Sequence, residues 1–418
     1  MNINEFMDTL VDVCHHDEEF LRRSRYVDGN VRLGIGAMGF VLRFCGGQLI
    51  DIVPDASTVK WDYEIVGPES DWARIWRGEI DIMQALMPKY SALTIRGDRV
   101  KYGADIQTIA HMTRLMPAAA AKLGVHVRPM LAPPEGDSGP WVTRHDVIGR
   151  YVEVGGVRTY YETMGKKGSV TFLGMHSAGR DCRQWQQMGD CMGHVGQMVA
   201  LDLPGHGKSW PLAGGQCLTS PDEIAAFIWA FRNAAGFAGP TVVLGCSLGG
   251  KLVYQLAAEH PDEVVALVSF QGSAFTPSLP EWRLLLMDHP SINPAYHTGE
   301  QACAVIGKNT AQRQRDYLKW EVATVSSAAN KSDMTAYFKF DFRERMQEVR
   351  CPALLIRGLD DFLVDADLIE DTAKRLVNAR VLEVVMPEGL GHYSHVEQPP
   401  ENARIVLDFL SRNGVISS

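Results

Sequence analysis

Ser247, Asp361 and His392 follow one another along the 418-residue chain as a nucleophile, an acid and a base, each in a local setting that suits its chemistry. Ser247 is the centre of Val242-Val-Leu-Gly-Cys-Ser-Leu-Gly-Gly250. The apolar residues before it read as a short buried strand, and residues 251–260 read as a helix with one apolar face. A turn that sharp strains the serine backbone and leaves no room for side chains at Gly245 and Gly249. A hydroxyl is a poor nucleophile until a base takes its proton and a carboxylate fixes the tautomer of that base. Downstream, Ala353-Leu-Leu-Ile-Arg-Gly358 reads as a strand leading into Leu359-Asp360-Asp361, and Val381-Leu-Glu-Val-Val-Met386 as a strand leading into Pro387-Glu-Gly-Leu-Gly391-His392. Both candidates lie past the C-terminal ends of strands, the edge where open α/β sheets carry their sites. Asp361 could instead cap a helix starting near Asp365, and His392 could be an ordinary turn histidine. Three residues in the order serine, acid, histidine, each in the required context, make coincidence the weaker account.

The elements that must position these residues extend the pattern. Tyr151-Val-Glu-Val-Gly-Gly-Val-Arg-Thr-Tyr-Tyr161, Leu201-Asp-Leu-Pro-Gly-His-Gly-Lys-Ser209 and Gly391-His-Tyr-Ser-His-Val-Glu-Gln-Pro399 resemble the opening hairpin, the loop after the fourth strand and the histidine segment of α/β-hydrolase fold enzymes. The resemblance covers residues from about 151 to 414. It implies Ser247 as nucleophile, His392 as base and Asp361 as orienting acid, since the family's Gly-x-x-Asp counted from Gly358 selects Asp361 over Asp360. His395 matches a second, structural histidine position. Val170-Thr-Phe-Leu-Gly-Met175 feeds His176-Ser-Ala-Gly-Arg180, where the family carries His-Gly before an oxyanion-hole amide. Carried over, the donors are the backbone amides of Ala178 and Leu248. Ser177 replaces the usual glycine, so its own amide or hydroxyl is a further candidate. Cys246 should point inward as packing, although its place beside the nucleophile also makes it a pocket candidate. Arg180 and Arg183 suit a substrate carboxylate or, more simply, an ion pair with Asp181 or another acid.

An irregular stretch, residues 274–348, interrupts the alternation where hydrolases of this fold carry a helical lid. Its apolar side chains, Trp282 and Trp320 among them, are candidates for the substrate pocket, and apolar lids exclude water and select by shape. The expected fold is α/β: a mostly parallel sheet flanked by helices, formed by residues 150–273 and 349–418, with the lid at 274–348. Residues 125–149, rich in proline and glycine, are expected to be a linker.

Residues 1–124 follow a different pattern, with strands between 30 and 53 that include a hairpin turning at Gly46-Gly47, short helices, and an apolar helix at 106–123. Gly34-Ile-Gly-Ala-Met-Gly39 matches a dinucleotide fingerprint in letters alone, because it runs into a strand where a helix is required. Ile65-Val-Gly-Pro-Glu-Ser-Asp-Trp-Ala-Arg-Ile-Trp-Arg-Gly-Glu-Ile-Asp-Ile-Met-Gln-Ala-Leu-Met87 and Leu93-Thr-Ile-Arg-Gly-Asp98 resemble a sterol-carrier-protein-like domain. That resemblance implies a five-stranded α+β fold that holds a lipid or acyl ligand or serves in docking and self-association. Met83, Met87, Met112 and Met116 could line a cavity, although gap-filling core is the simpler role.

The formal net charge of −9 disfavours a general nucleic-acid surface. No basic start followed by an apolar core marks a secretory signal, and no apolar run approaches the length of a membrane span. Eight scattered cysteines without a C-x-x-C spacing read as reduced thiols of a cytoplasmic protein, with no metal site and no cofactor expected. The chemistry expected from all this is hydrolysis of a carboxylic ester or lactone with an apolar body. Thioesterase and carbon–carbon bond hydrolase activities are alternatives on the same three residues, and a non-catalytic lipid-binding scaffold is an alternative of another class.

Overall fold

The computed structural model describes residues 2–55, 59–128, 141–278 and 282–417, except for the side chains at 282, 283 and 294. The chain divides into two units, Met1–Ala132 with His289–Ala304, and Pro133–Asp288 with Val305–Ser418.

The first unit holds strands β1 (Gly29–Ile35), β2 (Met38–Cys45), β3 (Gln48–Pro54), β4 (Tyr63–Gly67) and β5 (Thr94–Gly97) in one sheet ordered β3-β2-β1-β4-β5. Its β1–β4 pairing is parallel and the other three are antiparallel. Gly34 to Gly39 spans the tight β1–β2 hairpin, with Ile35 paired to Met38, so no helix follows the glycines. The β2–β3 hairpin turns at Gly46 and Gly47, both with positive φ (57° and 85°), as a tight two-residue connection requires. Residues 3–24 form two helices, Ile3–His15 and Glu18–Ser24, because the Asp17 carboxylate caps the second by accepting from the Phe20 amide at 2.7 Å. The long helix starts earlier than its apolar pattern suggests, at Arg99, where Asp98 accepts from the amides of Val100 and Lys101; it runs to Lys122.

Part of the stretch expected as a lid belongs to this first unit. The helix Pro294–Ala304 carries Glu300, which is buried between two guanidinium groups. One carboxylate oxygen pairs with Arg23 and the other accepts from Arg114 Nη1 at 2.5 Å. Arg114 Nε in turn binds Asp81 at 2.8 Å, and Arg23 Nε binds Glu19 at 2.7 Å.

The second unit is built on β6 (Ile148–Val154), β7 (Val157–Met164), β8 (Thr171–Met175), β9 (Gln197–Leu201), β10 (Thr241–Cys246), β11 (Val264–Phe270), β12 (Ala353–Ile356) and β13 (Leu382–Val385). They form one sheet ordered β13-β12-β11-β10-β8-β9-β7-β6. Strands β8 to β13 are mutually parallel, and β6 and β7 add an antiparallel hairpin at one edge. Strands β10 and β12 are buried at every position, which is why they read as unbroken apolar runs. The helices Pro221–Ala234, Leu248–Glu259, Ala366–Arg375 and Pro399–Arg412 accompany the strands. Two helices from the expected lid, Gln312–Ala323 and Ser327–Lys339, also lie in this unit. The core of the expected linker, residues 129–140, falls outside the described residues. No helix among the described residues is long and apolar enough to cross a membrane.

Loss of the Glu300 carboxylate would leave Arg23 and Arg114 with one acidic partner each, Glu19 and Asp81. Replacing Glu300 by alanine leaves buried guanidinium donors unsatisfied and is expected to destabilise the first unit by about 1–3 kcal/mol, measured as a fall in the denaturant midpoint of the full chain. An unchanged midpoint would refute the assignment.

Candidate active site

Ser247 lies on the turn between β10 and the helix Leu248–Glu259, at φ 55° and ψ −111°. That conformation is strained for any residue with a side chain and persists only where the surroundings enforce it. The glycines show how. A Cβ on Gly245 would lie 2.1 Å from the Gly249 carbonyl oxygen, and one on Gly249 would lie 2.3 Å from the Met175 carbonyl oxygen. Strand, turn and helix therefore approach more closely than any larger residue permits. The Ser247 amide donates to the Phe270 carbonyl at 2.8 Å, which fixes the turn against β11.

His392 and Asp361 meet as the strand order requires. His392 Nδ1 lies 2.9 Å from Asp361 Oδ2, with both residues buried. With its Nδ1 proton donated to the carboxylate, the imidazole keeps the Nε2 lone pair that a base needs. Asp361 Oδ1 accepts from the amides of Leu363 at 2.8 Å and Val364 at 3.4 Å, so one oxygen serves the turn and the other the ring. Asp360, the rival acid, accepts instead from the Lys308 amide at 2.9 Å. Cys246 Sγ lies 3.4 Å from the His392 carbonyl oxygen, which places the histidine loop against the serine turn. Burial pushes the Cys246 thiol well above its ordinary range, so it stays protonated beside the serine.

The loop after β8 narrows the choice of oxyanion donors. The Ser177 amide donates to Gln184 Oε1 at 2.8 Å, and Gln184 Nε2 donates to the Ser177 hydroxyl at 2.9 Å. The Gly179 amide donates to Asp333 Oδ2 at 2.9 Å. Both polar groups of Ser177 are thus engaged, and the amide of Ala178 lies between two that are already bound. Leu248 is the first residue of its helix, and its N–H is among those that no intrahelical carbonyl can satisfy.

Of the pocket candidates, Trp320 is 49 % exposed on the helix Gln312–Ala323, with the Arg183 guanidinium 4.6 Å above its ring. The side chain of Trp282 lies outside the described residues. Arg183 pairs with Asp181, whereas Arg180 is buried with its Nε 3.4 Å from Glu321 Oε2 and its Nη2 donating to the Tyr393 hydroxyl at 2.8 Å. His395 is wholly buried between the rings of Trp185 (4.8 Å) and Phe270 (5.3 Å). Burial pushes its imidazole down to about 3, with His392 adding to the shift.

Several buried polar residues gave no signal in the sequence. His206 Nε2 contacts Asp333 Oδ2 at 2.9 Å, and Lys251 donates to the Ser273 hydroxyl at 2.8 Å and to the Phe275 carbonyl at 3.0 Å. Glu397 accepts from the amides of Gly391 at 2.9 Å and Tyr393 at 3.0 Å, on either side of His392. Glu397 and His206 could have been suspected, because each lies within a segment that carries the resemblance. Asp181, Cys182 and Asp202 also converge, their ligand atoms within 4.8 Å of one another. Asp181 is taken by Arg183, however, and Asp202 by the amides of Cys182 at 2.8 Å and Lys208 at 2.7 Å.

A model of the alpha/beta hydrolase fold matches residues 176–399, more than half of the chain. The chain belongs to the alpha/beta hydrolase fold family. It is 25% identical over 296 residues, 65% of this chain and 93% of the relative, to a 2-hydroxy-6-oxo-6-(2'-aminophenyl)hexa-2,4-dienoic acid hydrolase of Metapseudomonas resinovorans. A shorter match, 38% identical over 125 residues, is to the dihydrolipoyllysine-residue acetyltransferase component of the acetoin cleaving system of Cupriavidus necator; it covers 29% of this chain and 32% of the relative. The crystal structure of the enol-lactonase from Burkholderia xenovorans shares the fold at a TM-score of 0.55 and 18% identity, over 63% of this chain and 100% of that one. Membership of the family and relatives named as hydrolases are consistent with a hydrolase.

His395 supplies a pH test. Its folded-state value lies below the ordinary 6.5, so its contribution is present above pH 6.5 and is lost as pH falls toward about 3. Wild type should lose up to about 1.4 kcal/mol per pH unit from this group across that window, and His395→Phe should lose correspondingly less in urea titrations at pH 6.5 and pH 4. Identical slopes would show that His395 is not buried neutral.

Proposed function

We propose that the chain hydrolyses a carboxylic ester or lactone of an apolar small molecule through Ser247, His392 and Asp361. The observation that carries this is a buried histidine whose Nδ1 lies 2.9 Å from a buried carboxylate, in a loop whose His392 carbonyl lies 3.4 Å from Sγ of Cys246, the residue before a serine forced to φ 55° at a strand end. In this scheme Ser247 Oγ attacks the carbonyl carbon while His392 Nε2 takes its proton, and the tetrahedral oxyanion rests on the amides of Leu248 and Ala178. Each such donor contributes about 3–4 kcal/mol to barrier lowering. His392 then returns the proton to the leaving alkoxide, and water repeats the sequence on the acyl-enzyme to release the acid and regenerate the serine. In a lactone the leaving alkoxide stays tethered, and ring opening follows the same steps. A serine at this position argues against chemistry that needs an alkyl-ester intermediate on a carboxylate.

Carbon–carbon bond hydrolysis is the second proposal, favoured by the relative from Metapseudomonas and disfavoured by Ser177 where such enzymes carry a glycine-rich loop. Thioester cleavage would use the same groups. For the first unit we keep the sterol-carrier-like proposal: a five-stranded sheet beside a long helix that buries Met112 and Met116 suits an apolar ligand, with docking or self-association as the other role. A lipid-binding scaffold without turnover would have no use for three correctly ordered catalytic groups.

A panel of p-nitrophenyl esters and lactones tests the central proposal. Turnover by wild type should fall about 10⁶-fold in Ser247→Ala and comparably in His392→Ala. Undiminished turnover by Ser247→Ala would reject it. For the first unit, the full-length Ser247→Ala chain is expected to bind a fluorescent fatty acid saturably, and a linear, unsaturable signal would count against a lipid ligand.

A further inference from the structure

Among the described residues, two that are not glycine adopt positive φ, and they are neighbours. Ser247 has φ 55° and Gln271 has φ 48°. Ser247 follows β10 and Gln271 follows β11, and the Ser247 amide donates to the carbonyl of Phe270, the residue just before Gln271. The strain on Ser247 has an evident use. Glutamine is a costly residue in this region, where glycine or asparagine would sit more easily, so its side chain should carry the reason.

That side chain is wholly buried and each end is engaged. Nε2 donates to the Gly391 carbonyl at 3.2 Å and to the Ser394 hydroxyl at 2.8 Å, on either side of His392. Oε1 lies 3.8 Å from Cys246 Sγ, a long contact to the residue before Ser247. The Gln271 amide is held in the sheet by the Ile356 carbonyl at 2.9 Å, so the backbone that bears the carboxamide is anchored between β10 and β12. Other restraints on the histidine loop come from elsewhere, among them Glu397, which binds the amides of Gly391 and Tyr393, the Val305 carbonyl, which accepts from the His392 amide at 2.9 Å, and Arg180 Nη2, which donates to the Tyr393 hydroxyl at 2.8 Å. Gln271 reaches this loop through a side chain rooted in the sheet, beside the direct contact of Cys246 Sγ with the His392 carbonyl at 3.4 Å.

We propose that Gln271 is a positioning residue that sets the distance between the Ser247 hydroxyl and the His392 imidazole, and that its left-handed backbone conformation aims the carboxamide at the histidine loop. This rests on the assignment of Ser247 and His392 as nucleophile and base. Without the carboxamide the loop keeps its ties to Glu397 and Val305 and stays folded, but its position over the serine is no longer fixed.

A fluorophosphonate probe, which reacts with a base-activated serine whatever the natural substrate, tests this in the full-length chain. Gln271→Gly relieves the backbone and removes the carboxamide, whereas Gln271→Asn tolerates positive φ but is one methylene too short to reach the loop. The expected result for both is full labelling stoichiometry at a rate 10- to 100-fold below wild type, measured well below the melting temperature. A purely structural role would lower the fraction of chains labelled and leave the rate of that fraction unchanged, which would overturn the proposal. So would a wild-type rate at full stoichiometry in either variant. If one variant fails to fold, the other decides by the same criteria. Ser247→Ala and His392→Ala separate the two levels: should they label as fast as wild type, the nucleophile assignment fails, whereas abolished labelling in both with normal Gln271 variants refutes Gln271 alone.

Discussion

The close approach of three backbones at Gly245, Ser247 and Gly249 is the constraint on which the second unit depends. A strand that is buried at every position can deliver a polar side chain to the sheet edge only if the chain reverses at once into a helix. That reversal leaves about two ångströms where a Cβ would need more than three. The cost is a serine held in a conformation worth of order 1–3 kcal/mol of strain, repaid by the apolar packing of the flanking strand and helix. Asp361 and His392 leave the ends of β12 and β13, and the loop after β8 brings the amide of Ala178 toward the same edge.

The loops that carry these residues are held by buried polar groups more than by apolar contacts. Glu397 gathers the amides on both sides of His392 and those of Gly307 at 2.9 Å and the Thr310 hydroxyl at 2.6 Å. Asp333 ties the helix Ser327–Lys339 to His206 and to the Gly179 amide. Loop backbone carries donors that must be satisfied once it is buried, and a carboxylate satisfies several at once with strong, charge-assisted hydrogen bonds. Placement by such groups has a sharper energy minimum than placement by side-chain packing, which suits residues that must meet within hydrogen-bonding reach.

How much of this was legible in the sequence follows from whether the signal is local. The strand–turn–helix around Ser247 was readable because its sterics act within five residues, and the place of Asp361 past a strand end because Gly358 to Asp361 is a single short loop. The buried strands declared themselves through apolar runs. Asp333, Glu321, Gln271 and Glu300 were not readable, since each is defined by a partner more than a hundred positions away or by a backbone angle that no letter encodes. The treatment of residues 274–348 as one lid likewise relied on contiguity. Space divides that stretch, because Glu300 matches the cations of the first unit while the helices on either side of it in sequence order have other neighbours.

The most direct measurement is to quench the reaction of the chain with p-nitrophenyl acetate in acid before the steady state and map the acetyl group by peptide mass spectrometry. The account predicts that it is found on Ser247. An acetyl group on Cys246, Lys251 or another residue, or turnover with no covalent intermediate, would contradict it.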